Sequence, residues 1–470
     1  MPTQALTAAL VALVLCLLSP FARAQDEDFE EDEVVVEVVD IPNTAAGKQL
    51  GWVLRVVNGK TAVGDPTEHF SDRFLEDFKP GELEGELAKI KPEGLGGNDA
   101  EPVSIDQNES DESITATIRG KGTKRYLSVF IALDAQNLKI ASLLFNIAAG
   151  SGGDSTWDAY DGEMGQMKGT ASFGAYEIVA RPPIDGALPY RLVPVHEFGE
   201  EKVLPIGSAF KLWVLGALAE EIEAGRASWG ERLPIYDSLK SLPSGRMQNL
   251  PGGSRLTLAT YAEEMISISD NTATDHLIAR IGRERVEGFM ARVTDRPRLN
   301  QPLLSTRELF AMKIGNAPWL RDEYMDSDEG ARRELLKPGG RLFRAQVEPF
   351  SALLWKKPIA VTSVEWFASC HDLCRAMAML RHIEQRPGME RVGSILRKNP
   401  GIAYDPKVWK SVGFKGGSEP GVMTLTLLLE RTDGRWFVLS AGWTNENELL
   451  EEPRLVEMVT RGMEMLAELE

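Results

Sequence analysis

Pro205-Ile206-Gly207-Ser208-Ala209-Phe210-Lys211-Leu212-Trp213-Val214-Leu215 sets a serine and a lysine three residues apart at the mouth of an apolar run. The run continues through Leu218 and Ile222, and this spacing predicts a long helix opened by Ser208. At such an N-terminus the backbone N–H groups and the helix dipole favour developing negative charge. Lys211 falls one turn later on the same face. Its amine can receive the serine proton if a cation-rich or apolar site lowers its pKa. The neighbours Phe210, Leu212, Trp213, Val214 and Leu215 are apolar, as a buried lysine requires. In isolation, the same four residues read better as a capping serine and a solvated lysine.

Two more clusters follow in order. Ser269-Asp270-Asn271 interrupts two apolar helical stretches within Met265–Ile278, which suits a loop entering a site from a helical region. Ser269 can relay a proton towards a leaving atom, and Asn271 can bind a substrate amide or orient Lys211. Asp270 reads as loop support, and an N-cap for the following helix is compatible with both uses. Phe414-Lys415-Gly416-Gly417-Ser418 follows a predicted strand, Trp409–Gly413. Its glycines let a substrate lie against the strand edge, Lys415 offers charge to a carboxylate, and the N–H of Ser418 joins that of Ser208 in an oxyanion hole.

The ordered triple resembles the signature of the penicillin-recognising serine hydrolases, the β-lactamases and penicillin-binding proteins. Within that superfamily residues 157–470 are similar to the class A β-lactamases. The resemblance implies an α/β sandwich, Ser208, Lys211 and Ser269 as catalytic residues, and Asn271, Lys415, Gly416, Gly417 and Ser418 as substrate-binding residues. It implies no cofactor and no metal. Two departures qualify it. Gly416 stands where the family has Thr or Ser, and Arg296 stands where the family's deacylating acid is expected, ahead of Pro297-Arg298-Leu299-Asn300. Asp295 and Glu308 are near but wrongly spaced. Acylation then outlives deacylation, which implies slow β-lactam hydrolysis, ester hydrolysis or both. The alternatives are a cell-wall D-Ala-D-Ala peptidase that β-lactams inhibit and a binding module on a degenerate hydrolase fold. The insertion 321–363 is not typical of the family.

Upstream, residues 48–149 read as a small α+β domain. Phe70, Phe74 and Phe78 recur every four residues in a predicted helix over 67–78, and a second helix covers 81–90. The period then changes to two. Ile114, Ala116 and Ile118 alternate with Thr and Arg, and 126–133 and 138–147 read as strands. Helices before a curved antiparallel sheet resemble the steroid-isomerase-like (cystatin-like) cone. Such a domain ahead of such a hydrolase is similar to the esterase/β-lactamase of the clavulanic-acid gene cluster, and the stretch 306–310 and the insertion add to that likeness. A structural appendage is the favoured role for the cone, and ligand binding within it the other. A Gly-rich linker at 150–156 joins the units. Beyond it, strands are predicted at 171–180, 191–198, 422–431 and 436–444, with a final amphipathic helix over 453–469.

The chain is long enough, at 470 residues, for more than one core. Its net charge of −18 argues against a nucleic-acid partner. Nine carboxylates between Asp26 and Asp40 put much of that charge in an acidic linker, 25–47. Residues 1–24 read as a cleaved export leader: an apolar stretch over 5–18, then Pro20 and Ala22-Arg23-Ala24. A periplasmic or secreted protein without a membrane span follows, its oligomeric state open. Its partner is a small-molecule β-lactam or ester, or a cell-wall peptide. Cys370 and Cys374 share a helix face by their spacing and read as packed small side chains, since a metal site needs more ligands.

Overall fold

The computed structural model describes residues 38–76, 81–95, 97–107, 112–122, 126–134, 136–147, 156–181, 190–345, 347 and 355–470. The stretch read as an export leader, most of the one read as an acidic linker, and the Gly-rich joint lie outside the described residues.

The N-terminal unit starts with α1, Ala45–Val57, whose first turn is capped by Thr44 accepting from the Gly47 N–H. Ala46, Leu50, Val53 and Val57 point one face inward. This helix was not anticipated, and it begins inside the stretch read as linker. The single helix expected over 67–78 is also corrected. A 3-10 turn at Pro66–Glu68 stops, and α2 restarts at Asp72–Glu76. Between them the Ser71 N–H donates to Ile140 O and the Ile140 N–H to His69 O, so a strand takes the bonds a helix would have used. Phe70 and Phe74 keep their apolar roles, fully buried and stacked at 4.6 Å. Next come α3, Glu82–Lys89, and an antiparallel meander of β1 Ala100–Gln107, β2 Ser113–Gly120, β3 Tyr126–Leu133 and β4 Ile140–Ile147. Helices before an antiparallel sheet is the expected order.

One face of that sheet sends Ile114, Ala116, Ile118, Leu127, Val129, Ile131, Leu143 and Phe145 into a core with α1 and α3. The polar alternates should face water, yet Thr115, Thr117, Arg119 and Ser128 are buried too. The second unit meets this part of the sheet. The Thr115 hydroxyl donates to Lys398 O, the Arg246 guanidinium donates to Leu133 O at 3.0 Å, and Val103 and Tyr126 pack with Ala403.

The second unit is an α/β sandwich. After α4, Trp157–Gln166, come β5 Thr170–Ala180 and β6 Tyr190–Phe198, which join β11 Trp409–Glu419, β12 Val422–Arg431 and β13 Trp436–Thr444 in a sheet of order β11-β12-β13-β5-β6, antiparallel throughout. Two short ladders pair β7 Leu204–Pro205 with β10 Phe367–Ala368, and β8 Arg232–Pro234 with β9 Arg255–Thr257. Strand β11 is longer than predicted, so Lys415 to Ser418 lie within it rather than after it. The helical half comprises α5 Lys211–Glu223, α6 Leu258–Ser267, α7 Asn271–Ile281, α8 Arg283–Val293, α9 Thr306–Lys313, α10 Trp319–Asp326, α11 Glu329–Leu336, α12 Cys370–Glu384 and α13 Arg391–Arg397. Leu428 and Val438 of the sheet face that half. Leu427, Phe437 and Leu439 face α4 and the last helix, α14, Glu452–Ala467. Cys370 and Cys374 are buried on α12, near Ser172 Oγ at 3.0 Å and Gly174 O at 3.7 Å. Among the described residues no helix is long and apolar enough to cross a membrane.

Candidate active site

Ser208 sits in a 3-10 turn, Gly207–Phe210, and α5 begins at Lys211, one turn later than expected. The turn is pinned from behind, where the Ile206 N–H donates to Trp366 O at 2.9 Å and Phe210 stacks on Trp366 at 3.8 Å. Gly207 has φ +48°, a region that favours glycine. In front, Ser208 lines a cavity of about 350 Å³ together with Ser269, Asn271, Lys415, Gly416, Gly417 and Ser418. The structure thus brings all the predicted site residues except Lys211 to one cavity, and Lys211 reaches two of its lining residues, Ser269 and Asn271.

Lys211 is fully buried. Its Nζ lies 2.6 Å from Ser269 O, 3.0 Å from Ser269 Oγ and 2.7 Å from Asn271 Oδ1. Burial, then the nearby Lys415 charge, pushes its pKa well below that of a free lysine, against a partial pull from Asp270 and Asp275. The Nζ donates to Ser269 O and Asn271 Oδ1 and lies within hydrogen-bond reach of the Ser269 hydroxyl. Lys415 Nζ supplies the alternative contact, 3.1 Å from Ser269 Oγ, and it also donates to Gly416 O. Burial lowers Lys415 to about 7.

The loop that carries Ser269 is held under strain. Ser269 has φ +59°, unusual for a residue with a side chain. Asp270 fixes it from behind, accepting from the N–H groups of Ala273 at 2.7 Å, Arg246 at 2.6 Å and Met247 at 2.7 Å. It is also the N-cap of α7. Asp270 therefore ties the 244–247 loop to the site and touches none of the cavity, as its loop-support reading expects. Ser244 Oγ donates to Ser269 O at 3.0 Å. The Asn271 Nδ2 is buried with no hydrogen-bond partner among the described residues, an unmet donor at the cavity wall.

On the opposite wall Gly417 is pressed against the serine turn. A Cβ there would lie 2.1 Å from Ile206 O and 2.5 Å from Ser208 N. A Cβ on Gly207 would lie 3.2 Å from Ser418 N. The backbone nitrogens of Ser208 and Ser418 thus flank one small space. Gly416 offers no hydroxyl, and the ring of Phe414 lies 2.7 Å from where its Cβ would be.

The acids near the expected deacylation loop do not reach the cavity. Asp295 pairs with Arg375 at the surface. Glu308 completes the capping box of α9 with Ser305 and pairs with Arg283 at 2.7 Å. Asn300 is spent on Phe367, accepting from its N–H at 2.7 Å and donating to its O at 2.8 Å. Among the described lining residues the only carboxylate is Glu452, at the start of α14, its pKa raised by burial. Sequence reasoning missed Glu452. It also missed Phe310 and Trp355, in edge contact at 5.7 Å, and Ser142, Leu144 and Phe145 of β4. Trp355 comes from the insertion, where no spacing connects it to a motif. For β4 the adjacent apolar pair Leu143-Leu144 was a signal that both strand faces are covered.

Residues 195–324 match the family model described as beta-lactamase enzyme family. Residues 41–138 match one described as ORF 12 gene product N-terminal. Among solved structures the chain is similar to a β-lactamase from Sphaerobacter thermophilus DSM 20745 at 18% identity, over 66% of this chain and 98% of that one, TM-score 0.44. It is similar to PBP-A at 18%, over 65% and 95%, TM-score 0.40. A third is a β-lactamase from Francisella tularensis at 13%, over 65% and 98%, TM-score 0.41. No protein of curated function matches in sequence. The first family match spans Ser208, Lys211 and Ser269-Asp270-Asn271, and the unit that holds the cavity has a β-lactamase-like serine hydrolase fold.

Proposed function

We propose that the protein is an exported serine hydrolase acting through an acyl-enzyme at Ser208, on β-lactams slowly, on esters, or on both. The observation that carries this reading is the hydrogen-bonded chain Asn271–Lys211–Ser269–Lys415 running beside Ser208 in one cavity. Lys211, held neutral by burial, takes the Ser208 proton as Oγ attacks the carbonyl carbon. The N–H groups of Ser208 and Ser418 stabilise the oxyanion. Ser269 then passes a proton to the leaving nitrogen or oxygen and is reprotonated through Lys211, while Lys415 orients its hydroxyl. Asn271 Nδ2 meets a substrate carbonyl.

Water completes turnover by attacking the acyl carbon and returning the Ser208 hydroxyl. With the loop acids engaged elsewhere, that water has no dedicated carboxylate from the loop, so deacylation is the slower half. The apolar stretch and small-residue site of residues 1–24 support export. Nitrocefin and an aryl acetate separate the outcomes. Steady turnover of either fits the proposal, whereas one stoichiometric burst with no turnover of either points to a peptidase that β-lactams inhibit. If a fluorescent penicillin and a fluorophosphonate both leave Ser208 unlabelled, the chain is a binding module and the hydrolase reading is lost.

A further inference from the structure

Strand β4 of the N-terminal unit reaches the catalytic cavity. Leu143 and Phe145 point into their own core, so the half-buried Leu144 between them faces the other way, and it lines the cavity with Ser208. Its cross-strand partner Phe130 is 1% exposed and backs it firmly. Three contacts fix this sheet to the hydrolase. Arg246 donates to Leu133 O while its guanidinium holds Glu264 through two bonds of 2.6 Å, and its own N–H is held by Asp270 behind Ser269. Thr115 donates to Lys398 O. Ala403 packs on Val103 and Tyr126, two residues after Gly401, whose Cα side is covered by the Phe414 ring. The wall is therefore built into the same loops that shape the site.

Leu144 shares the cavity with an apolar group of side chains, and among the described lining residues neither cation is free. Phe414, Leu425 and Val456 line it, and Gly416, paired with Leu425, supplies no hydroxyl. Lys415 is turned to Ser269 and Gly416 O, and Arg246 is neutralised by Glu264. The remaining charged group is Glu452, an acid. Along β11 this surface starts at Gly416, next to Lys415 and its Ser269 contact, and runs through Phe414 away from Ser418. Ser269 is the group that protonates the departing atom, so this end receives the leaving group.

We propose that the N-terminal unit is the specificity wall of the hydrolase: Leu144, with Phe414, Leu425 and Val456, forms a composite subsite for an uncharged apolar leaving group, such as the alcohol of an aryl or alkyl ester. The proposal rests on the acyl-enzyme reading and names the side of the substrate that the second domain selects. It replaces the appendage role, and it places the ligand against the outer face of the sheet rather than inside the cone.

Acetate esters isolate this end, because methyl acetate and 2-naphthyl acetate leave the same acetyl group on Ser208. The ratio of their kcat/KM values, measured on the full chain by acetate release, cancels any effect on deacylation. In Leu144→Trp, which fills the subsite, and in Leu144→Ser, which removes its apolar contact, the naphthyl-to-methyl ratio falls about tenfold or more relative to wild type. The loss is in kcat/KM, with kcat set by the shared deacylation. At pH 8 6-acetoxy-2-naphthoate, the same ester with a carboxylate, reacts about tenfold more slowly than the neutral ester. Ratios within about twofold of wild type in both variants, or an anionic ester as good as the neutral one, overturn the proposal. Intact mass of the wild type separates the two failures. An acetyl adduct on Ser208 with unmoved ratios sinks the wall alone, whereas no adduct from any ester sinks the acyl-enzyme reading and the wall with it.

Discussion

Gly417→Ala places one methyl group against the oxyanion side of the site, and its effect follows from three distances. The new Cβ would sit 2.1 Å from Ile206 O, 2.5 Å from Ser208 N and 2.8 Å from Ala209 N. All three are backbone atoms of the serine turn, so no side chain can swing aside to make room. Relief needs the turn and β11 to separate by about 1 Å, and a displacement of that size in a catalytic constellation costs about 100-fold. Loss of one oxyanion donor costs about 100- to 1,000-fold, so the two arguments agree. The turn is fixed to Trp366 by both its backbone and the Phe210 ring, which stops it from following the strand. Gly416→Ala is the matched control. Its Cβ meets the tip of the Phe414 ring at 2.7 Å, a side chain that can rotate. The assay is the rate of covalent modification of Ser208, acylation by nitrocefin or phosphonylation by a fluorophosphonate with loss of fluoride, read by time-resolved intact mass, with thermal melting as the check on folding. The account expects Gly417→Ala to acylate about 100-fold more slowly and Gly416→Ala less than about tenfold more slowly. A folded Gly417→Ala protein that acylates within about threefold of wild type refutes the oxyanion geometry.

Burial of Lys415 gives a pH signature. Burial lowers its amine to about 7 in the folded chain, against the ordinary lysine value of 10.5 when unfolded, so between those values the unfolded chain binds more protons. Stability therefore rises with pH in that window by about 1.4 kcal/mol per pH unit from this group, and the slope vanishes below the folded value. Urea unfolding of wild type and Lys415→Met at pH 7, 8 and 9 should show Lys415→Met lacking this slope; parallel curves contradict the burial assignment. Lys313 lies between Glu365 at 2.9 Å and Glu419, all with buried side chains. Lys313→Met leaves two facing buried carboxylates and should cost about 3–5 kcal/mol, more at pH 8 than at pH 5 because burial already pushes the Glu419 carboxyl up and its charged form then loses the Lys313 partner. A melting temperature unchanged at pH 8 would count against that cluster.

Much of the site was legible because its chemistry is local in sequence. Ser208 with Lys211, and Ser269 with Asn271, are each set by one turn of backbone, and the order of motifs left few ways to assemble them. The register of Gly417 against the serine turn was foreshadowed only by the absence of a side chain. What stayed hidden depends on contacts distant in the chain. Helix α1 was overlooked beside the acidic run, although Ala46, Leu50, Val53 and Val57 carry its period. The break at Phe70 could not be read from apolar spacing, since a strand some 70 residues later takes the backbone bonds, Ile140 pairing with His69 and Ser71. Thr115, Thr117 and Arg119 look like a solvated strand face by alternation, yet all three are buried, Thr115 against Lys398 of the second unit. Glu308 and Asn300 show the reverse case. Their types suggested chemistry, and their bonds to Arg283 and Phe367 make them structural.

The claim on which the rest depends is a covalent acyl group on Ser208. Intact-protein mass spectrometry with peptide mapping, after incubation with a penicillin and separately with an aryl acetate, tests it directly on wild type and Ser208→Ala. The account predicts one adduct per chain from at least one of the two, mapped to the peptide that contains Ser208 and absent from folded Ser208→Ala. No adduct from either reagent, or an adduct that persists in Ser208→Ala, contradicts it.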